Sequence, residues 1–130
     1  MATLTTTLTL KSSTLTTDLL DMTDSETLTV GAPAIMPSRV ALEATGGSAT
    51  VIKPAGSAGN HYLYVKHTGF VADGTTPATG AVVLTLASAS LSVIQPNEWC
   101  FFNVINSGII SARSSSSDLI LLEYGYWTKA

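Results

Sequence analysis

The sequence predicts an all-β protein: an antiparallel β-sandwich, jelly-roll-like, with an extended N-terminal arm. Three observations carry this. Helical periodicity is nearly absent from the 130 residues. Ser and Thr supply about a quarter of the chain, and Thr and Val favour extended backbone. Roughly seven to nine short stretches of extended character are separated by turn residues, the pattern of a sandwich.

Residues 3–11 alternate. Leu4, Leu8 and Leu10, with Thr6, face one side; Thr3, Thr5, Thr7, Thr9 and Lys11 face the other. This is a half-buried strand or an extended arm. The stretch DLLDMTDSE (18–26) holds four of the nine acids, Asp18, Asp21, Asp24 and Glu26. A short helical turn is expected there, followed by a strand at 27–30. Over 31–60, Pro33, Pro37 and Pro54 with Gly46, Gly47, Gly56 and Gly59 punctuate short extended pieces at 39–44 and 49–53.

A strong strand follows at 61–67, with Leu63 and Val65 on one face and Tyr62, Tyr64 and Lys66 on the other. Residues 69–80, GFVADGTTPATG, read as a loop. Strands are expected at 81–87, at 91–94 ending in Gln95-Pro96-Asn97, and at 99–105. The last 23 residues read as a hairpin: 108–113, a Ser-rich turn, then 118–127. No internal repeat interrupts this order. The division is 1–30, a Thr-rich arm and first strands, and 31–130, a sandwich body, within one structural domain.

The final strand is apolar on both faces. Ile120, Leu122, Tyr124 and Tyr126 alternate with Leu119, Leu121, Gly125 and Trp127. A two-layer sandwich normally leaves one face wet. A second cover is therefore expected, from the arm, a long loop or a neighbouring subunit. Composition points the same way. Charged residues are 12% of the chain, against about 25% in ordinary soluble domains, while 45% is apolar and mean hydropathy is +0.35. Too few charges remain to coat a monomer, so part of the surface is expected to meet protein.

The net charge is −3, and the six Lys and Arg are scattered, which argues against direct nucleic-acid binding. No apolar run approaches the length of a membrane span, and MATLTTTLTLKSS lacks the pattern of a signal peptide. One Cys forms no internal disulfide. Synthesis in a reducing cytoplasm is the default reading.

Chemical candidates are few. Cys100 is flanked by Trp99, Phe101 and Phe102, the setting of a small buried hydrophobe rather than a thiolate. Glu98 follows Pro96-Asn97 and has no visible acid–base partner, so it reads as a turn anchor or an intersubunit salt bridge. His61 and His67 share a strand face about 20 Å apart, too far to hold one metal ion. The acids between 18 and 26 lack the spacing of a calcium loop and read as a solvated face. The serine run 114–117 is a loop; no nucleophile elbow, P-loop or dinucleotide motif occurs. Glu123, inside LILLEYGYW, must be paired or at an edge. Tyr62, Tyr64, Trp99, Tyr126 and Trp127 could form a sugar-stacking platform, but aromatics in apolar strand runs point to core or interface. No catalytic residue, cofactor or metal is expected.

Three stretches carry a resemblance: YLYVKHTG (62–69), IQPNEWCFFNV (94–104) and LILLEYGYW (119–127). Together with the opening TLTTTLTLKSSTLTT they resemble small structural proteins of tailed-bacteriophage virions. The second half carries the likeness in its motifs, the first half in composition only. At position 97 stands Asn in place of a turn Gly, a residue that also tolerates left-handed backbone. The resemblance implies a capsid decoration (cement) protein made in the host cytoplasm, trimeric, clamping the major capsid protein or neighbouring virion subunits. The interface set expected on this reading is Leu4, Leu8, Leu10, Tyr62, Tyr64, Glu98, Trp99, Phe101, Glu123, Tyr126 and Trp127. The alternative is a receptor- or glycan-binding head or tail-fibre module, with exposed Phe70 as its mark. An enzyme such as a cysteine hydrolase would instead require an accessible, reactive Cys100.

Overall fold

A computed structural model of the chain describes residues 2–13, 20–55, 60–105 and 108–130. Among them are nine strands: β1 (Ala2–Ser12), β2 (Leu20–Ala41), β3 (Thr50–Lys53), β4 (Asn60–Val71), β5 (Val82–Leu86), β6 (Ala89–Ile94), β7 (Trp99–Ile105), β8 (Ile110–Ser114) and β9 (Ile120–Lys129). They form two antiparallel sheets, ordered β1-β2-β9-β4-β7 and β3-β8-β5-β6. The pairs are nested. β2 pairs with β9, β3 with β8, β4 with β7 and β5 with β6. From β2 onward the chain is thus one long antiparallel ribbon, wrapped so that successive pairs fall in alternate sheets.

The core lies between the layers. Leu63 and Val65 of β4, Val104 of β7 and Ile120, Leu122 and Tyr126 of β9 meet Ile52, Val82, Leu84, Ile94, Ile110 and Ala112 of the other sheet. Each of the Val, Leu and Ile side chains contributes about 1.5–3 kcal/mol by leaving water. Strand alternation makes this possible: the apolar faces read from β4, β5 and β9 point inward.

Three expectations are corrected. No helical turn forms over residues 20–26, because β1 hydrogen-bonds that segment along its length, from Thr6↔Glu26 to Ser12↔Leu20. Asp18, Gly56 and Gly59 lie outside the described residues. The C-terminal hairpin also fails. β8 and β9 do not pair; β8 lies between β3 and β5, and β9 between β2 and β4. The serine turn carries the chain from one layer to the other. Asp118 accepts Thr79 N–H at 2.8 Å and Thr79 Oγ1–H at 2.9 Å, and Ser115 Oγ accepts Ala81 N–H at 2.9 Å.

β2 runs through Pro33 and Pro37, where separate short pieces were expected. Its register with β9 slips between Gly31 and Ala34 and between Ile35 and Ser38. Bulges are where a strand accommodates residues lacking an N–H, and they add twist. The other irregular element, the loop after β4, is held by its own polar groups. Asp73 accepts the Thr76 hydroxyl at 2.5 Å, Thr76 N–H at 2.8 Å and Thr75 N–H at 2.7 Å, and these bonds, the hydroxyl's first, pull its carboxyl down to about 2.

Two histidines, His61 and His67, are buried on the inner face of β4. His67 accepts Gly69 N–H on Nδ1 (3.0 Å) and meets the Gly80 carbonyl through Nε2 (2.9 Å), which places the proton on Nε2. At the other end, Lys53 donates to the Gly108 carbonyl at 3.0 Å, and burial lowers its pKa. His61 Nδ1 lies 3.3 Å from Thr128 Oγ1, while its buried Nε2 has no partner among the described residues. Burial, then the Lys53 charge, lowers the His61 pKa from 6.5.

Two outcomes follow from this packing. A Cβ at Gly69, where φ is +85°, would fall 2.3 Å from Asn97 Oδ1. Gly69→Ala should therefore cost about 2–4 kcal/mol in denaturant unfolding, combining left-handed strain and overpacking. His61 binds its proton less readily folded than unfolded. Stability should hold above pH 6.5, fall as pH drops from there toward the lower folded pKa, and level off below it. Thermal unfolding of His61→Leu should lose that part of the pH dependence; an unchanged profile would reject the assignment.

Candidate subunit interface

The outer face of the five-stranded sheet carries the second apolar surface. Tyr62 and Tyr64 of β4, Phe101 of β7 and Trp127 of β9 emerge there, because each is one residue out of phase with the core. Tyr62 and Phe101 stack with centroids 5.9 Å apart and planes 9° apart. What covers them is the chain's own arm. β1 and residues 20–30 of β2 form a two-stranded ribbon, and Leu4, Leu28 and Val30 pack on these aromatics. At Val30 the partner of β2 changes from β1 to β9: Ala2↔Val30 is followed by Val30↔Lys129.

The ribbon has two unlike faces. One is a hydroxyl ladder, with Thr7 Oγ1 3.1 Å from Ser25 Oγ and Lys11 paired to Asp21 at 3.2 Å. That ion pair is exposed and adds little. The other face begins with Leu4 and Leu28, seated on the sheet, and ends in Leu8, Leu10, Leu20 and Met22, each more than 40% exposed. Between this distal part and the sheet opens a cleft of about 330 Å³, lined by Thr6, Leu8, Asp24, Glu26, Trp99 and Phe101 among others. Trp99 is 54% exposed. An apolar strip ending in a half-uncovered Trp is a surface built to meet something.

The expected interface residues separate into groups. Leu8, Leu10 and Trp99 are exposed on this surface, and Leu4, Tyr64 and Phe101 are half-buried beneath or beside it. Tyr62 and Trp127 are buried under the ribbon, and Tyr126 belongs to the main core. Glu98 is a turn anchor within the chain: Oε2 accepts Gln95 N–H at 2.9 Å, and the Glu98 carbonyl accepts His67 N–H at 2.9 Å. Asn97 takes φ 69° behind Pro96, as a type II turn requires. Glu123 is paired, accepting the Tyr64 hydroxyl at 3.1 Å and Arg39 Nε at 3.2 Å. Leu20 and Met22 were missed. Their alternation with Asp21 and Thr23 was the available signal, hidden by the four acids around them.

Cys100 faces the main core beside Phe102, and burial pushes its thiol up to about 11 despite a bond from the Val65 backbone. Among the described residues no group of three His, Cys, Asp or Glu could hold a metal ion, and no helix is long and apolar enough to cross a membrane. The chain matches no protein-family model, and no curated protein matches its sequence. The thiol placement is checkable. Labelling of Cys100 by a disulfide reagent at pH 8 should be at least about a hundredfold slower in native than in urea-unfolded protein, since only thiolate reacts. Equal rates would remove Cys100 from the core-facing position.

Proposed function

We propose that this chain is a virion structural subunit, a capsid decoration protein of a tailed bacteriophage that stabilises the head through protein contacts. The observation that carries the reading is the ribbon, seated at its base and carrying Leu8, Leu10, Leu20 and Met22 uncovered at its far end. Its hydroxyl face stays in water while its apolar face docks on a neighbouring subunit, as part of a homotrimer or on the major capsid protein. The outer edge of β1 adds main-chain donors and acceptors for strand addition. The cleft under the ribbon, with an aromatic floor and Asp24 and Glu26 at its side, suits a basic side chain of that neighbour. On this reading the nested strand pairs are those of a jelly roll, a rigid non-catalytic body made to be tiled.

The phage motifs of the second half support the assignment, and so does the chain's low charge. The test compares native protein with a Leu8→Asp/Leu10→Asp double variant, which leaves Leu4 on the sheet. Sedimentation equilibrium should show an oligomer for the native chain and monomer for the variant, with unfolding temperatures of the isolated chain within a few degrees of each other. Deletion of residues 2–11 should reduce occupancy on the particle more than it unfolds the sandwich. A native protein that is monomeric and also fails to attach to the particle, or particle assembly indifferent to the deletion, would refute the proposal.

A further inference from the structure

A second recess lies further along the outer face, beyond the aromatics that the ribbon covers. Arg39 of β2, Lys66, Thr68 and Phe70 of β4, and Leu121 and Glu123 of β9 enclose about 260 Å³, with Gly74 of the following loop at its rim. This is at the small end for ligand sites and suits one ring rather than a long chain.

Its walls ask for three features in a ligand. First, charge: Arg39 engages Glu123 through Nε alone and stays 65% exposed, so its terminal amino groups keep their donors. The Lys66 ammonium, on the same face, has no ion-pair partner among the described residues. Two cations against one carboxylate leave an excess of positive charge. Second, shape: Phe70, 38% exposed, and the Leu121 side chain give an apolar wall. Third, hydroxyl recognition: Glu123 accepts one donor on each oxygen from Tyr64 and Arg39, and each oxygen has a further lone pair. Thr68 gives its proton to the Leu121 carbonyl at 2.6 Å and accepts Phe70 N–H at 3.4 Å, which leaves its oxygen one further lone pair.

The rim is organised without a ligand. Val71 N–H donates to the Thr76 carbonyl at 2.9 Å, Ala78 N–H to the Gly69 carbonyl at 2.9 Å, and Asp73 ties the loop between them. Little ordering is therefore left to oppose binding. From these three features we infer that the recess binds a carboxylate-bearing pyranose, the terminal acidic sugar of a glycan. The carboxylate meets Arg39 and Lys66, the ring's apolar face lies on Phe70, and its hydroxyls donate to Glu123. This site is independent of the ribbon, so it stands or falls apart from the structural role proposed above.

The test is titration of the native protein by calorimetry and saturation-transfer NMR. The probes are methyl glucuronide, N-acetylneuraminic acid and the uncharged methyl ester of the glucuronide. At least one acid should bind at millimolar concentration, and which one identifies the uronate or the nonulosonate as the source. For a bound glucuronide, the ester should be about tenfold weaker, as expected from loss of a charge-assisted contact. Phe70→Ala and Lys66→Gln, both outside the core and checked for native circular dichroism, should each weaken the acid about tenfold. Failure of both acids to bind, an ester as tight as its acid, or variants that bind like the native protein would overturn the inference.

Discussion

The five-stranded sheet is apolar on both faces, and the remaining architecture answers to that constraint. A strand such as β9, with Ile120, Leu122 and Tyr126 on one side and Trp127 on the other, needs two covers. The four-stranded sheet supplies one. The β1–β2 ribbon supplies the other over Tyr62, Phe101 and Trp127. β2 joins both roles because it is one continuous strand of 22 residues, bonded to β1 in its first half and to β9 in its second. The ribbon is therefore a piece of the fold at its base and a free surface at its end.

Polar side chains manage the places where this wrapping would otherwise strand backbone groups. His67 bridges Gly69 and Gly80 inside the sandwich, Glu98 closes the turn before β7, and Asp118 gathers the N–H groups before β5. Buried polar atoms without partners are costly, and these residues remove that cost at three crossings. Two of the polar residues that looked reactive, His67 and Glu98, are accounted for in this way. Glu123 instead reaches a recess open to ligands.

Much of the site was legible because side-chain direction follows from strand phase. Once β4, β7 and β9 are strands, Tyr62, Tyr64, Phe101, Glu123 and Trp127 must share a face opposite Leu63, Phe102 and Leu122. The ribbon's far end was only half legible. Leu8 and Leu10 stood out in clean alternation, whereas Leu20 and Met22 sat among acids that suggested a solvated turn. The hairpin between β5 and β6 turns through Ala87 and Ser88 at φ 46° and 74°, positions that usually announce themselves with Gly or Asn. Nothing local marked them.

The sequence by itself determined the all-β class, the phase of the main strands and the need for a second cover, because alternation and hydropathy are local properties of the chain. Only the tertiary structure decided which strands pair. The serine turn separates β8 from β9 as cleanly as a hairpin loop would, yet it joins two layers. Strand pairing depends on which apolar faces close around one core, and no window of sequence contains both partners. The same reason governs the recess: Arg39 on β2, Lys66 and Phe70 on β4 and Glu123 on β9 come from three distant stretches of the chain, and only the order β2-β9-β4 brings them together.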